Sequence, residues 1–272
     1  MAVQREGDGG TVRGQRLSAF WAGWRESRRN PVGYALSHPR LALAAVGDLM
    51  ALPWVEAPLG ETPAGRLIRS DLSRRCLAGA TLAATGASVV DVPETPPAYR
   101  EGRSKQTLRR KIRAAERAGV AWRPVPRPAE QRELAARLDR ALGVKSDARY
   151  RQLGTDHAHW VGRGMWTVAV DRDGEPLVLA VTPHDGEWAL LSVFITLGEG
   201  PQHSDARYLL FAAVVEQLSE RGVRHLVDGR GQHELTNGLR HFQRMLGFRI
   251  ARIRMRRREP GLRSAAVGSR AA

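Results

Sequence analysis

The strongest constraint on the fold comes from residues 166–227, where short apolar segments alternate with turn residues before a long amphipathic stretch. Segments 166–170, 177–181 and 188–195 are joined by the turn sequences Asp-Arg-Asp-Gly and His-Asp-Gly, which is typical of consecutive β-hairpins. Helical spacing of Leu210, Val214 and Leu218 predicts a helix over 207–221, and a strand is predicted over 223–227. Strands covered by a helix predict a mixed α/β domain in which helices flank a central sheet.

The first part of the chain shows the same order of elements in a weaker form. Apolar and β-branched runs predict strand-like segments over 41–58, a helix over 64–84 and a short strand over 87–92. Leu-Gly-Glu-Thr-Pro at 59–63 precedes the first helix, as Leu-Gly-Glu-Gly-Pro at 197–201 precedes the second.

The spacing after these two motifs is also similar. An aspartate at the predicted end of the next strand follows the motif's glutamate by 30 residues in the first copy (Asp91) and by 29 in the second (Asp228). A five-residue similarity can arise by chance near helix starts, but the matching lengths favour a duplication. We therefore expect a degenerate N-terminal half at 15–97 and a C-terminal domain at 98–258.

Several classes of protein are disfavoured. Cys76 is the single cysteine, which excludes a disulfide framework and a cysteine-based zinc site. The longest uncharged run, 76–90, is shorter than the roughly 20 residues that a membrane-spanning helix needs. The N-terminus lacks the apolar core of a signal peptide. We expect a soluble, cytoplasmic protein with disordered tails at 1–14 and 259–272.

Positive charge is concentrated in two segments of this basic protein, whose net charge is +15. Residues 100–123 carry nine cations against two glutamates, and residues 240–270 carry ten against Glu259. Such clusters predict an anionic partner, because an undiluted cluster repels itself. Arginine supplies 40 of the 43 cations, which suits bidentate contact with phosphate, although a coding bias gives the same ratio.

The first basic segment predicts a helix over 104–118 that ends at Gly119. Leu108, Ile112 and Ala115 form a narrow apolar stripe, which leaves a wide cationic face. Its side chains are candidate phosphate ligands, and the alternative is a solvated arginine face. The candidates are Lys105, Arg109, Arg110 and Arg113.

The second basic segment follows the last predicted strand. Alternation places Arg252, Arg254 and Arg256 on one face, and Arg254 is a further candidate phosphate ligand. If this stripe lies beside the basic helix, the two form a groove for a polyanion such as tRNA, a nucleotide cofactor or anionic lipid. Near the N-terminus, apolar residues at helical spacing from Leu17 to Trp24 allow either a membrane-surface helix or a helix packed on its own domain.

Two loops are candidates for chemistry. The loop over 197–207 has glycines that let a ligand approach the backbone, directly before a helix start that can hold pyrophosphate; its candidate cofactor-binding residues are Gly198, Gly200, His203, Ser204 and Arg207. The second loop follows the strand that ends at Asp228, which with His233 is a candidate acid or base, while Arg230 is a candidate anion ligand. Ordinary connecting loops are the alternative for both. No metal site is expected, because His157 and His159 lack further nearby ligands.

Residues 237–248, Asn-Gly-Leu-Arg-His-Phe-Gln-Arg-Met-Leu-Gly-Phe, resemble the closing helix and strand of GNAT acyltransferases. Residues 104–113 with Gly119-Val120 resemble the basic helix of the FemAB-like branch, which includes aminoacyl-tRNA-dependent transferases that build peptidoglycan bridges. This resemblance implies two GNAT-like halves with mixed central sheets flanked by helices. It also implies transfer of an acyl or aminoacyl group to an amine or hydroxyl, for which backbone N–H groups near 193–198 would stabilise the oxyanion.

The sequence departs from the family at two places. The loop at 198–203, Gly-Glu-Gly-Pro-Gln-His, lacks the glycine pattern usual for acetyl-CoA, and Gln243 replaces the tyrosine common in the closing helix. Acetyl-CoA is therefore disfavoured. We expect aminoacyl-tRNA as the preferred donor, with acyl-CoA possible, chiefly because the charge of the two basic segments exceeds what one cofactor needs. We also expect no permanently bound cofactor, and a small molecule or cell-wall precursor as acceptor. The alternative is a non-catalytic protein that binds nucleic acid or an anionic membrane through the same scaffold.

Overall fold

The computed structural model describes residues 14–27, 30–76, 79–145 and 156–258. Its helices are α1 (Gln15–Glu26), α2 (Pro31–Ser37), α3 (Pro39–Ala51), α4 (Pro63–Leu72), α5 (Leu82–Thr85), α6 (Gln106–Arg117), α7 (Pro128–Gly143), α8 (Pro201–Glu220) and α9 (Asn237–Leu246). Its strands are β1 (Trp54–Leu59), β2 (Ala87–Asp91), β3 (Ala121–Pro124), β4 (Met165–Val170), β5 (Pro176–Thr182), β6 (His184–Asp185), β7 (Trp188–Leu191), β8 (Val193–Thr196), β9 (His225–Gly231) and β10 (Arg249–Arg257). Short 3-10 helices lie at Pro96–Arg100, Arg103–Lys105, Ala158–Trp160 and Gln232–Glu234. The predicted class, a mixed α/β protein with helices flanking sheets, is confirmed. Apart from Gly14, the predicted tails lie outside the described residues.

Contacts between Cα atoms group the chain into two compact units, each discontinuous in sequence. The first unit contains residues up to Pro58, Arg69–Val90 and Val227–Arg256. The second unit contains Leu59–Ile68, Asp91–Leu226 and the residues from Arg257 onward. The division into two halves at 15–97 and 98–258, which the repeated sequence motif suggested, stays a prediction.

The second unit is built on an antiparallel sheet in the order β3–β4–β5–β8. On one face, Leu134, Leu138 and Leu142 of α7 pack against Trp166 and Leu179. Helix α8 packs on β4 and β5, and α6 packs against α8. Since helices cover both faces, β4 is buried at all its positions, which explains why its sequence is continuously apolar. The smaller β6–β7 hairpin belongs to the same unit.

The first unit contains strands in the order β1–β10–β2–β9. Strands β10 and β2 are antiparallel, with Arg249 opposite Val89. Leu17 and Phe20 of α1 lie in a core cluster with Ala45 of α3, so α1 is packed on its own domain, which is one of the two alternatives that the sequence allowed. Asp48 of α3 caps α1, because its Oδ2 accepts the N–H of Arg16 at 2.8 Å.

Two predictions in the first part of the chain are wrong. Residues 41–58 were expected to form strand-like segments, but 39–51 form helix α3 and only β1 is a strand. Leu41 and Leu49 face the core while Leu43 and Met50 are exposed, so apolar residues on both faces conceal the helical period. The helix predicted over 64–84 ends at Leu72 and resumes only in α5, which removes the matching helix length from the argument for duplication.

Candidate functional site

The strand predicted over 188–195 is divided at Ser192. Strand β7 pairs with β6, whereas β8 pairs with β5. The N–H of Ser192 lies 3.1 Å from the carbonyl oxygens of both Val181 and Leu190. Strand β8 is the edge of its four-stranded sheet, and among the described residues no strand pairs with its other edge. An open strand edge presents backbone N–H and C=O groups to a ligand.

Polar side chains that the sequence analysis missed surround this division. Thr182 Oγ1, His184 Nδ1 and Ser192 Oγ are buried and have no hydrogen-bond partner within the described part of the chain. Segments 182–184 and 190–192 run side by side, because Leu190 N–H donates to Pro183 O at 2.9 Å. Buried polar atoms normally have partners, so this position suits a ligand or water. The only sequence signal is polar residues at the ends of apolar strands.

Burial and the charge of Arg221 lower the pKa of His184. Its imidazole is therefore neutral at neutral pH and can accept a proton.

Lys145, also missed from the sequence, holds the loop between β8 and α8. Its Nζ donates to Gly198 O at 2.7 Å and to Thr196 Oγ1 at 3.1 Å, and burial lowers its pKa. The imidazole of His203 lies against Gly198, where a side chain would collide with it. Burial and neighbouring Lys145 lower the pKa of His203. Gly200 has a φ of +115° directly before α8 begins, a conformation that favours glycine.

The remaining predicted loop residues lie in the first two turns of α8. Ser204 N–H donates to Gly200 O at 3.1 Å, and Arg207 is half-buried one turn further along. The predicted cofactor-binding residues are thus brought together at one helix start. Their role in donor binding stays a prediction.

Two of the four phosphate ligands predicted on the basic helix instead contact groups within the protein. Arg109 turns back, and its Nη1 donates to Arg100 O at 2.7 Å and to Gly102 O at 2.8 Å. Lys105 Nζ lies 4.2 Å from the ring centroid of Tyr99, and burial lowers its pKa to about 8. These contacts make Lys105 and Arg109 structural residues of the loop that precedes α6.

The other two predicted ligands on α6 are available. Arg110 and Arg113 are exposed and have no hydrogen bond or ion pair with any residue that the structure describes. Lys111 Nζ binds Asp205 Oδ1 at 2.7 Å, which ties α6 to the first turns of α8. The arginine face therefore belongs to the helix that is tied to the candidate donor loop.

In the first unit, Asp228 lies within β9 rather than at the end of a strand, because sheet pairing continues through the glycines that follow it. Its carboxylate is 3% exposed and ends a buried chain of hydrogen bonds. Gln232 Nε2 donates to Ser88 Oγ at 2.5 Å, and Ser88 Oγ donates to Gln243 Oε1 at 2.9 Å. Gln243 Nε2 donates to Asp228 Oδ2 at 2.8 Å, and Arg230 N–H donates to Asp228 Oδ1 at 3.0 Å. Gln243 thus binds the predicted acid-base residue directly.

Further titratable side chains of the first unit surround Arg74. Its Nη1 donates to Glu234 Oε1 at 2.8 Å, and its Nε lies 3.8 Å from Asp71 Oδ1. Burial raises the pKa of Asp71 to about 6, against the opposing effect of Arg74 and with a contribution from Asp228. Sequence analysis missed Asp71 and Arg74, because their contacts join distant parts of the chain.

His233 lies beside two indoles of α1. Its ring centroid is 6.0 Å from that of Trp21 and 6.4 Å from that of Trp24. Burial lowers its pKa, although neighbouring Glu234 acts in the opposite direction. A neutral imidazole is compatible with the predicted acid-base role of His233, which stays a prediction, as does that of Asp228.

The predicted arginine stripe on β10 is present. Ala251 and Ile253 are buried, while the guanidinium groups of Arg252 and Arg254 lie 4.4 and 5.2 Å from the ring centroid of Trp54. The predicted convergence of this stripe with the basic helix stays a prediction.

Two further kinds of site are absent from the described residues. Within 14–27, 30–76, 79–145 and 156–258, no group of three acidic, histidine or cysteine side chains is placed to hold a metal ion. No helix in those ranges combines the length and apolar character that crossing a bilayer requires.

No protein-family model and no curated protein sequence matches the chain. Similar solved structures include FemX, with 11% identity, a TM-score of 0.47 and coverage of 67% of this chain and 63% of that one. L-PGS from Bacillus licheniformis has 17% identity, a TM-score of 0.43 and coverage of 65% and 61%. A tandem GNAT protein from the clavulanic acid biosynthesis pathway has 18% identity, a TM-score of 0.39 and coverage of 83% and 69%. The chain thus spans less than two thirds of FemX and of L-PGS, and these values are too low to carry an activity to it.

Proposed function

We propose that the chain is an acyl or aminoacyl transferase whose activated donor is held by the second unit. The division of the strand at Ser192 supports this proposal most directly. It leaves an open edge on β8 immediately before the loop and helix start at Gly200. Thr182 Oγ1 and His184 Nδ1, which are buried and have no hydrogen-bond partner within the described residues, adjoin it.

The donor's anionic carrier would lie at the start of α8 and on α6. Helix N-termini favour phosphate because their first N–H groups are unsatisfied and the dipole is positive there. Arg110 and Arg113 supply charge on the helix that Lys111 ties to α8. We prefer aminoacyl-tRNA to acyl-CoA as the donor because the two basic segments, 100–123 and 240–270, carry nine and ten cations, more than one nucleotide cofactor needs.

In the proposed reaction, an acceptor amine or hydroxyl attacks the carbonyl carbon of the donor. A new C–N or C–O bond forms, and the bond to the tRNA 3′ oxygen, or to the thiol sulfur of an acyl-CoA, breaks. Backbone N–H groups near 193–198 would hold the developing oxyanion. The acceptor's proton passes to a base and then to the leaving oxygen or sulfur.

His184 is the base that the geometry favours. Its Nδ1 has no partner among described residues, and its lowered pKa keeps it neutral. Both carboxylate oxygens of Asp228 already accept hydrogen bonds, so Asp228 is less available. Asp228 and His233 remain proposed acid-base residues of the first unit, to be tested beside His184.

The test is transfer of a labelled amino acid from a mixture of charged tRNAs to added amine acceptors, with labelled acetyl-CoA as the second donor. We expect His184→Asn to slow transfer by about 10²–10⁴-fold with unchanged donor binding. His241→Asn, at an exposed position on α9, is the matched control. Equal transfer rates for the two variants would remove His184 as base.

The alternative function, non-catalytic binding of nucleic acid, is favoured by exposed Arg110 and Arg113. Replacing both by Gln should lower the salt slope of tRNA binding by about two, at about 0.9 per phosphate contact. Salt-dependent binding without transfer from either donor would favour the alternative over the enzyme.

A further inference from the structure

An exposed apolar surface in the first unit has no role in the proposed transfer reaction. Among the described residues, the exposed large hydrophobic side chains other than Val144 all lie on α2, α3 or the first residue of β1. We call this set the apolar face: Val32, Leu36, Leu43, Val46, Met50 and Trp54, which are 46–77% exposed. Scattered exposed hydrophobics are normal, but a concentration on one segment marks an interaction surface.

The residues of the apolar face follow helical spacing. Leu43, Val46 and Met50 are at i, i+3 and i+7 of α3, so they share one side of that helix. The opposite side, with Leu41 and Leu49, packs into the core. Helix α3 thus has one apolar side that packs in the core and a second that is exposed.

Arginine borders the apolar face at the end of α3. Arg252 Nη2 donates to Met50 O at 2.6 Å, and its guanidinium lies 4.4 Å from the ring centroid of Trp54. Arg254 also lies over Trp54 and is exposed. An aliphatic side chain, a tryptophan and two arginines therefore meet at this end of the face.

Acidic groups near the apolar face are already engaged. Asp48, the single acid between residues 30 and 55, turns to the start of α1. Glu56 accepts from Arg256 Nη2 at 2.8 Å. Cationic and apolar groups without a competing acid match an anionic lipid surface, where aliphatic side chains enter the acyl region, tryptophan lies at the interface and arginine meets headgroup phosphates.

We propose that the apolar face docks the protein peripherally on an anionic bilayer. Helices α2 and α3 lie against the interface, and the exposed Arg254 contacts the headgroups beside Trp54.

The test is flotation of the full chain with phosphatidylcholine vesicles, with and without about one third phosphatidylglycerol. We expect binding to the anionic vesicles. Leu43→Gln combined with Met50→Gln should weaken it about tenfold or more, because both side chains lose apolar burial in the membrane. Arg254→Gln should weaken it about fivefold. Val144→Gln, which removes an exposed apolar side chain of the second unit, should bind as the parent does.

Other results overturn the proposal. The proposal fails if the parent chain does not float with anionic vesicles, or if the Leu43→Gln, Met50→Gln variant binds them equally well. Loss of vesicle binding only in the Arg110→Gln, Arg113→Gln variant would assign the contact to α6. A concentration-dependent dimer in sedimentation velocity that the Leu43→Gln, Met50→Gln variant dissociates, without vesicle binding, would make the face a contact between two copies of the chain.

Discussion

Replacing Gln243 by Leu tests the buried chain of hydrogen bonds that ends on Asp228. The substitution keeps the approximate side-chain volume but removes two hydrogen bonds, one from Ser88 Oγ at 2.9 Å and one to Asp228 Oδ2 at 2.8 Å. Both partners stay buried, at 1% and 3% exposure. They are left with fewer partners in a position that water cannot easily reach.

The expected loss follows from the type of each bond. A hydrogen bond to a charged group contributes about 1.5–3 kcal/mol, and a neutral one about 1 kcal/mol. The added apolar burial of Leu offsets about 1 kcal/mol. We therefore expect Gln243→Leu to lower the free energy of unfolding by about 1.5–3 kcal/mol, while Ser88→Ala, which removes two neutral hydrogen bonds, costs about 2 kcal/mol.

Urea unfolding monitored by circular dichroism measures these losses. His241→Leu, an exposed substitution on the same helix, is the control and should change stability by less than about 0.5 kcal/mol. The double variant Ser88→Ala, Gln243→Leu should lose less than the sum of the single losses, because they share one bond. If Gln243→Leu lowers the free energy of unfolding as little as His241→Leu does, these buried hydrogen bonds do not stabilise the protein.

Three further predictions concern stability. Burial raises the pKa of Asp71 from 3.8 to about 6, so its ionised form is disfavoured on folding and stability is lost as pH rises through that interval. Asp71→Asn should stabilise by about 1–2 kcal/mol above about pH 7 and not below pH 3.8; urea unfolding below and above this interval measures the difference, and equal stability of variant and parent at the higher pH would contradict it. Lys145→Met removes the donor to Gly198 O and should cost about 1–3 kcal/mol and speed hydrogen exchange in the following loop; unchanged exchange would contradict its role in holding the loop. Phe211→Leu, at a fully buried position, should lower the free energy of unfolding by about 1 kcal/mol through lost packing, and an unchanged unfolding midpoint would contradict it.

The second unit was predicted more accurately than the first because its sequence patterns are simpler. Strands β4 and β5 are covered by helices on both faces and therefore read as unbroken apolar runs. Helix α8 was predicted over 207–221 and begins earlier, at Pro201, since proline is compatible with the first turn. The division at Ser192 could not be predicted, because it depends on which neighbouring strand each half pairs with.

The first unit was harder to predict because tertiary contacts override its local patterns. Helix α4 ends at Leu72, after which Arg74 Nη2 donates to Gly229 O at 2.7 Å. Asp228 was identified as a candidate from its place after an apolar strand, but its partners Ser88 and Gln243 are distant in sequence. The basic helix was found from its charge, whereas the self-contacts of Arg109 required coordinates.

The position of β10 between β1 and β2 has a consequence for how the chain is made. Both flanking strands leave the ribosome long before Arg249–Arg257, the strand that joins them, has been translated. The nascent N-terminal region therefore has a gap in its hydrogen-bonded ladder until β10 has been made, and closing this gap carries the loop-closure cost of the long intervening segment. Ribosome-stalled chains that stop before β10 should accordingly remain sensitive to proteases in the region of β1 and β2.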